Sequence, residues 1–213
     1  MRTILCYGDS NTWGYEPGSK LRLDHSQRWP GVLREDLSTG YLVIEEGLNG
    51  RTTVWSDPLA EYRDGKHLLL PCLETHKPLD LVILMLGTND LKRKFSASPY
   101  DIARGVAVLI TIIRTSNSGA DGASPEILLL CPPPVGKLTE FAEMFEGAEE
   151  KSRQLARHYR SVASEFGCHF LNTGDIIRSS DLDGIHLEAS EHAKLGAAVA
   201  DQTRSILGVA RSR

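Results

Sequence analysis

A serine stands directly after the first hydrophobic run of the chain, where a nucleophile would be useful. Residues 3–7 read as a buried strand, and Gly8, Asp9 and Ser10 follow it. In open parallel sheets, ligands bind beyond the carboxyl ends of the strands. A hydroxyl at this point is therefore well placed to attack a substrate, although the same residue types are also common in ordinary turns.

Three later segments supply the partners that such a serine needs. A serine hydroxyl attacks efficiently only when a base takes its proton, and His186 is the best candidate because histidine titrates near pH ~6.5. Asp183, three residues earlier, can orient the imidazole. The backbone N–H groups of Ser10 and Gly50 and the side-chain amide of Asn89 would stabilise an oxyanion. This set predicts two-step acyl transfer through an ester of Ser10.

Other assignments of these roles are weaker. Asp175 and Asp181 compete with Asp183 as the orienting carboxylate, and Asp9 is expected to bind loop amides rather than to react. Residues spaced as closed metal ligands are not evident, so we expect neither a metal nor another cofactor. The remaining histidines lack an aspartate three positions earlier at a late strand end: His25, His67, His76, His158, His169 and His192.

The pattern of apolar residues predicts alternating strands and helices. Strand-like runs cover residues 3–7, 41–45, 79–86, 126–131 and 167–171, and helical spacing follows Ser98-Pro99, Trp29-Pro30 and Ser190 and precedes Gly167. This order predicts an α/β fold, a three-layer α/β/α sandwich with a five-stranded parallel sheet of flavodoxin-like type. Ser10, Gly50 and Asn89 would follow the first three strands, so we expect them at one edge. A single domain over residues 1–213 is expected.

Composition excludes several classes of function. A net charge of −4 argues against a nucleic-acid partner, and no apolar run reaches the ~20 residues of a membrane span. The start of the chain shows no export signal, so we expect a cytoplasmic protein whose cysteines are free thiols.

The four segments, in this order, resemble those of the SGNH hydrolases, the GDSL-type esterases and lipases. The motif residues of the family correspond to Ser10, Gly50, Asn89, Asp183 and His186. Asn11 occupies the position of the leucine in the Gly-Asp-Ser-Leu motif that gives the GDSL family its name. The stretches 8–14 and 45–53 look closest to bacterial arylesterases and acyltransferases. The resemblance implies the SGNH hydrolase fold with sheet order 2-1-3-4-5, and a homo-oligomer whose neighbouring subunits narrow the entrance.

The predicted function is a serine esterase of short-chain acetyl, aryl or carbohydrate esters, and the same residues would act as an acyltransferase if an alcohol replaced water. An acyl-CoA thioesterase, a lysophospholipase and a catalytically silent ligand-binding module are the alternatives. Loop residues predicted to contact the small-molecule ester are Trp13, Tyr15, Trp55 and Pro133. For Trp13 and Trp55, packing of the loop against the core is the alternative.

Two further segments have uncertain roles. The basic cluster 92–94 is either solvated or binds an anionic part of the substrate. Residues 136–150 carry an apolar stripe of Leu138, Phe141, Met144 and Phe145, which we expect to be uncovered in the monomer. Such a stripe would form a subunit contact or a mobile lid, and the contact is favoured.

Overall fold

The computed structural model describes residues 1–208 and contains a five-stranded parallel sheet. The strands are β1 (Arg2–Gly8), β2 (Tyr41–Gly47), β3 (Leu81–Met85), β4 (Glu126–Cys131) and β5 (His169–Asn172). They pair in the order β2-β1-β3-β4-β5, which confirms the predicted sheet order. The predicted fifth strand began too early, because Gly167 has φ +59° and ends the preceding helix instead.

Helices connect the strands on both faces of the sheet: α1 (Ser10–Trp13), α2 (Trp29–Leu37), α3 (Gly65–His76), α4 (Pro99–Thr115), α5 (Ala148–Phe166) and α6 (Ala189–Ile206). At the start of α4, Ser98 and Asp101 form a reciprocal capping box, and Pro99 fills the first helical position. The sequence did not predict α3, because Pro71 lies inside it and interrupts the helical pattern.

Alternate residues of β1 point to two different cores. Ile4 and Cys6 belong to the core beneath α2 and α6, whereas Leu5 and Tyr7 belong to the core that includes residues of α3, α4 and α5. All four are fully buried, as expected for a central strand covered by helices on both sides. The predicted three-layer sandwich is confirmed.

The strand register brings the site residues together. Gly8, at the end of β1, pairs with Gly47 of β2 and with Met85 of β3. The loops that carry Ser10, Gly50 and Asn89 therefore leave the sheet side by side. Among the helices within residues 1–208, none is both long enough and apolar enough to cross a bilayer.

Candidate active site

Ser10 is the first residue of α1, a single helical turn. The Asp9 carboxylate caps this turn, since its Oδ1 accepts the N–H of Asn11 at 3.0 Å. Burial raises the pKa of Asp9 to about 6, and the hydrogen bond from Asn11 acts in the opposite direction. Asp9 thus lies beneath the turn and holds its shape, while the Ser10 hydroxyl faces the cavity.

Ser10, His186 and Asp183 form a continuous hydrogen-bonded chain. The Oγ of Ser10 lies 3.0 Å from Nε2 of His186. On the opposite side of the ring, Nδ1 lies 2.6 Å from Oδ2 of Asp183. The exposed fractions are 7% for Ser10, 7% for His186 and 1% for Asp183, so the chain is shielded from bulk water. This is the geometry of a nucleophile, a base and an orienting carboxylate.

The loop around Asp183 fixes its carboxylate in the ionised form. Burial acts to raise the pKa of Asp183, but hydrogen bonds from the His186 side chain and from the backbone of His186 and Ile185 outweigh it, and the pKa is lowered. Oδ1 accepts the N–H of Ile185 at 2.8 Å and that of His186 at 2.9 Å. Gly184 makes this loop possible, because its φ is +79° and a Cβ there would lie 2.7 Å from the carbonyl oxygen of Lys137.

Two aromatic rings fix the plane of the His186 imidazole. The Tyr15 ring lies 4.1 Å from it, centroid to centroid, at an interplanar angle of 34°. The Phe141 ring meets it edge-on at 5.9 Å. These contacts exclude water and limit rotation of the base. The sequence predicted Tyr15 as a substrate contact; in the structure its ring packs on the imidazole of His186.

Gly50 and Asn89 lie beside Ser10, where the oxyanion donors were predicted. Gly50 has φ +81°, a conformation that side chains other than glycine rarely adopt. One N–H of the Asn89 amide donates to the carbonyl oxygen of Arg51 at 3.1 Å. Because a side-chain amide has two N–H bonds, this contact fixes the group and leaves the second bond for a substrate oxygen.

Arg51 is a positioning residue that the sequence did not reveal. Its Nη1 donates to the carbonyl oxygens of Gly8, at 2.8 Å, and of Glu46. Its guanidinium carbon lies 4.0 Å from the centroid of the Tyr7 ring. Together with the bond from Asn89, these contacts connect the ends of β1 and β2 to the loop after β3. The resemblance covers residues 45–53, but within that stretch only Gly50 was assigned a role from the sequence.

Asp90 links the Asn89 loop to the loop after β2. Its two carboxylate oxygens accept the N–H of Thr53 at 3.0 and 3.1 Å, and the Thr53 hydroxyl also donates to it. Burial raises the pKa of Asp90 to about 7, and the hydrogen bonds from Thr53 oppose that shift. The folded protein therefore holds this carboxyl protonated at pH values where the unfolded chain has already ionised it.

Replacing Asp90 by asparagine is expected to alter the pH dependence of stability. Between the unfolded pKa near ~4 and the folded pKa near 7, the wild type binds more protons when folded. This contribution to its free energy of unfolding therefore falls as pH rises. We expect the free energy of unfolding of Asp90→Asn, relative to that of the wild type, to increase by on the order of 2 kcal/mol when the pH is raised from 5 to 8. Urea unfolding at both pH values measures this, with exposed Asp121→Asn as control. If the free energies of unfolding of the variant and the wild type differed by the same amount at both pH values, the prediction would be wrong.

The Asn11 side chain holds the backbone on both sides of His186. Its amide nitrogen donates to the carbonyl oxygen of Ile185 at 3.3 Å, and its Oδ1 accepts the N–H of Leu187 at 3.2 Å. All of these groups are buried. The residue next to the nucleophile therefore also fixes the loop that carries the base.

Replacing Asn11 by leucine, which has nearly the same shape, would leave two buried backbone groups without partners. Each such group costs roughly 1–3 kcal/mol, and the loop would shift to recover them. We expect kcat for 4-nitrophenyl acetate to fall about tenfold with little change in KM, because the base moves while the aromatic walls of Tyr15, Phe141 and Phe145 stay in place. Asn172→Leu, on β5, is the control. An unchanged kcat would show that the loop keeps His186 in place without Asn11.

The cavity next to Ser10 has a volume of about 310 Å³. Its lining comprises Ser10, Tyr15, Asn49, Gly50, Asn89, Lys92, Phe141, Met144, Phe145, Ile185 and His186. Of the four predicted substrate contacts, only Tyr15 is among them. The Trp13 ring packs against the guanidinium of Arg22, Trp55 packs against the core, and Pro133 is buried. Of the two residues for which core packing was the alternative, Trp55 packs on the core, and the contact of the Trp13 ring is with Arg22.

Residues 136–150 form a wall of the cavity instead of an uncovered stripe. Phe145 is 3% exposed, Leu138 and Phe141 pack on the core, and Met144 is the exposed member of the four. The Thr139 hydroxyl donates to the carbonyl oxygen of Leu182 at 2.7 Å. The expectation of an uncovered stripe was wrong, because the chain turns repeatedly here and directs these side chains inward.

One group outside the cavity combines side chains that can bind a metal. Atoms of Glu46, Cys72 and His76 lie within 4.8 Å of one another. Nε2 of His76 and Oε1 of Glu46 are 2.9 Å apart, and burial raises the pKa of the Cys72 thiol to about 12. The thiol is therefore protonated at neutral pH, beside an imidazole–carboxylate hydrogen bond.

Comparison with known proteins shows which family the chain belongs to. Residues 6–194 match the model of the GDSL-like Lipase/Acylhydrolase family. The chain belongs to this family. The predicted resemblance is thus confirmed, and with it the prediction of a carboxylic ester hydrolase. No curated protein matches the chain.

Two solved structures show how closely this GDSL-like hydrolase follows its relatives. An aryl esterase of M. smegmatis is 42% identical, with a TM-score of 0.93 over 97% of this chain and 100% of that one. A carbohydrate acetylesterase from Sinorhizobium meliloti is 40% identical, with a TM-score of 0.93 over 97% of this chain and 100% of that one. The SGNH hydrolase fold predicted from the sequence is confirmed.

Proposed function

We propose that this hydrolase is a serine esterase of short-chain acyl esters, with Ser10 as the nucleophile. The observation that carries the proposal is the chain of contacts from Ser10 Oγ to His186 Nε2 at 3.0 Å and from His186 Nδ1 to Asp183 Oδ2 at 2.6 Å, beside a small cavity. The similarity to an aryl esterase and a carbohydrate acetylesterase supports this substrate class.

In the first half-reaction, Ser10 Oγ attacks the ester carbonyl while its proton passes to His186 Nε2. Asp183 stabilises the imidazolium that forms. The negative charge on the carbonyl oxygen is met by the N–H groups of Ser10 and Gly50 and by the free N–H of Asn89. The carbon–oxygen bond to the alcohol then breaks, and the departing alcohol takes the proton from His186. The products are the free alcohol and an acyl ester of Ser10.

In the second half-reaction, water hydrolyses the acyl ester of Ser10, and His186 again acts first as a base and then as an acid. It loses a proton to His186 as it attacks the acyl carbonyl, and the proton returns to Ser10 when the acid leaves. If an alcohol occupies the place of water, the acyl group is transferred to it instead. The aromatic side chains of Tyr15, Phe141 and Phe145 line the cavity and would favour an apolar alcohol over water, which supports acyl transfer as a side activity.

A cavity of about 310 Å³ lies at the lower end of the range for small-molecule sites. We therefore expect kcat/KM of the wild type to be highest for 4-nitrophenyl acetate and butyrate, and about tenfold or more lower for the decanoate, since each methylene that finds no space forfeits its transfer energy. Initial rates across this ester series test the proposal. A steady rise from acetate to decanoate would instead favour a lysophospholipase-like site.

A catalytically silent ligand-binding module is the alternative of a different class. An activated serine reacts rapidly with a fluorophosphonate probe, and a silent one does not. Rapid labelling of Ser10 would support the esterase, and the absence of labelling would support the module. A thioesterase would be recognised by a preference for acetyl-CoA over aryl acetates.

The remaining expectations are part of the same proposal. One hydrolase domain over the whole chain is supported by the family match and the single sheet, and residues 209–213 lie outside the described part. All four cysteines are free thiols, which supports a cytoplasmic location. The homo-oligomer implied by the resemblance stays a prediction.

A further inference from the structure

Three consecutive basic residues follow Asn89, and the structure separates them into two groups. Arg93 pairs with Glu146, and Lys94 Nζ lies 2.6 Å from Oδ1 of Asp57. Lys92, by contrast, lines the cavity that contains Ser10. Two of the three positive charges are therefore neutralised on the surface, and the third faces the substrate site.

The Lys92 ammonium lies beside an aromatic ring and a glycine of the cavity, and no carboxylate of the described residues touches it. Its Nζ lies 5.8 Å from the centroid of the Phe145 ring and 3.9 Å from the point where a Cβ would stand on Gly50. Within residues 1–208, no carboxylate lies at ion-pair distance from it. Burial lowers its pKa and the charge of Lys94 adds to that effect, while the more distant carboxylates of Asp57, Asp9 and Asp90 oppose it without outweighing it.

A half-buried ammonium without an ion pair in contact costs free energy, because it gives up part of its hydration and the distant carboxylates repay only part of that loss. Such a cost is offset when a ligand supplies the opposite charge. Lys92 is also the one side chain with a full charge among the described residues that line the cavity, apart from His186 when it holds the transferred proton. Any charge preference of the site therefore depends on it.

We propose that Lys92 is an anion subsite of the cavity, and that the preferred substrates are short esters that carry a carboxylate. This inference rests on the proposed esterase function and narrows its substrate class. The carboxylate would receive one or two N–H bonds from Lys92 Nζ while the ester carbonyl lies against Ser10, Gly50 and Asn89. Charge-assisted hydrogen bonds of this kind contribute about tenfold or more to kcat/KM.

The test compares esters that match in shape and differ in charge. For the acyl side, monoethyl succinate is compared with ethyl 4-methylpentanoate. For the alcohol side, 4-acetoxybenzoate is compared with 4-isopropylphenyl acetate. Rates are followed in a pH-stat at pH 8 with the wild type, Lys92→Met, Lys92→Arg and the matched control Lys94→Met.

We expect the wild type to prefer the anionic member of at least one pair by about tenfold or more. That ratio should collapse in Lys92→Met, recover partly in Lys92→Arg and persist in Lys94→Met. The pair that responds identifies which side of the ester faces Lys92. A ratio that is unchanged in Lys92→Met for both pairs, or one that falls equally in Lys94→Met, overturns the anion subsite.

These outcomes are separate from failure of the esterase proposal. If the wild type hydrolyses neither the charged nor the neutral esters, the esterase itself is wrong. If it hydrolyses the neutral esters well and shows no preference that depends on Lys92, the esterase stands and only the anion subsite fails.

Discussion

Replacing Ser10 by alanine is expected to lower kcat/KM for 4-nitrophenyl acetate by at least about 10⁴-fold. Without the hydroxyl, no acyl-enzyme forms, although the oxyanion donors and the cavity remain. The Ser10 side chain is 7% exposed, and the substitution removes one side-chain hydrogen bond, to His186. The variant should therefore fold normally, which circular dichroism and thermal unfolding can check.

Ser161→Ala is a suitable control, since Ser161 is exposed on α5 and its hydroxyl donates to the carbonyl oxygen of Arg157 at 3.1 Å. It should retain full activity. A folded Ser10→Ala variant that still hydrolyses the ester would place the nucleophile elsewhere. Mass spectrometry of the acylated wild type would then identify the residue concerned.

Replacing Asp183 by asparagine is expected to lower kcat by about 10³–10⁴-fold, with a much smaller effect on KM. The geometry explains why so similar a side chain fails. Oδ1 accepts two backbone N–H groups, from Ile185 and His186, so an asparagine must keep its carbonyl oxygen there. Its NH₂ would then face Nδ1 of His186, which favours the tautomer with the proton on Nε2. That nitrogen could no longer accept the proton of Ser10.

Asp181→Asn is the matched control, because Asp181 competed with Asp183 for this role on sequence spacing alone. Its side chain is exposed, and the Asp183 side chain is the one that contacts His186. We expect near wild-type kinetics for Asp181→Asn in stopped assays from pH 6 to pH 9. A larger loss in Asp181→Asn than in Asp183→Asn would show that the wrong carboxylate has been assigned.

The sequence predicted the residues at the site better than it predicted their surroundings. Ser10, Gly50 and Asn89 could be placed together because parallel strands end at one edge, a property of topology that needs no side-chain detail. The local spacing of Asp183 and His186 similarly predicted their contact. These inferences depend on the order of the segments along the chain and on the periodic spacing of apolar residues, and both can be seen in a single sequence.

The walls of the cavity depend on how loops fold back, and a single sequence does not display that. Trp13, the last residue of α1, and Trp55, in a loop, are aromatic residues near the ends of strands, yet neither lines the cavity. Phe141 and Phe145 come from a segment expected to be uncovered, and they face the cavity instead. The role of Arg51 could not be predicted from the sequence, because Arg51 binds backbone carbonyl oxygens of two other segments and every residue type has such an acceptor.

The hydrogen bonds of Asn11 have a consequence for how this protein is made. Asn11 and Ile185 are 174 positions apart, so the contact joins the first and last parts of the site. On a ribosome, the nucleophile emerges early and its base emerges among the last segments, and closing so long a loop is slow. We therefore expect a chain that ends before His186 to carry Ser10 without its proposed base and to show no esterase activity.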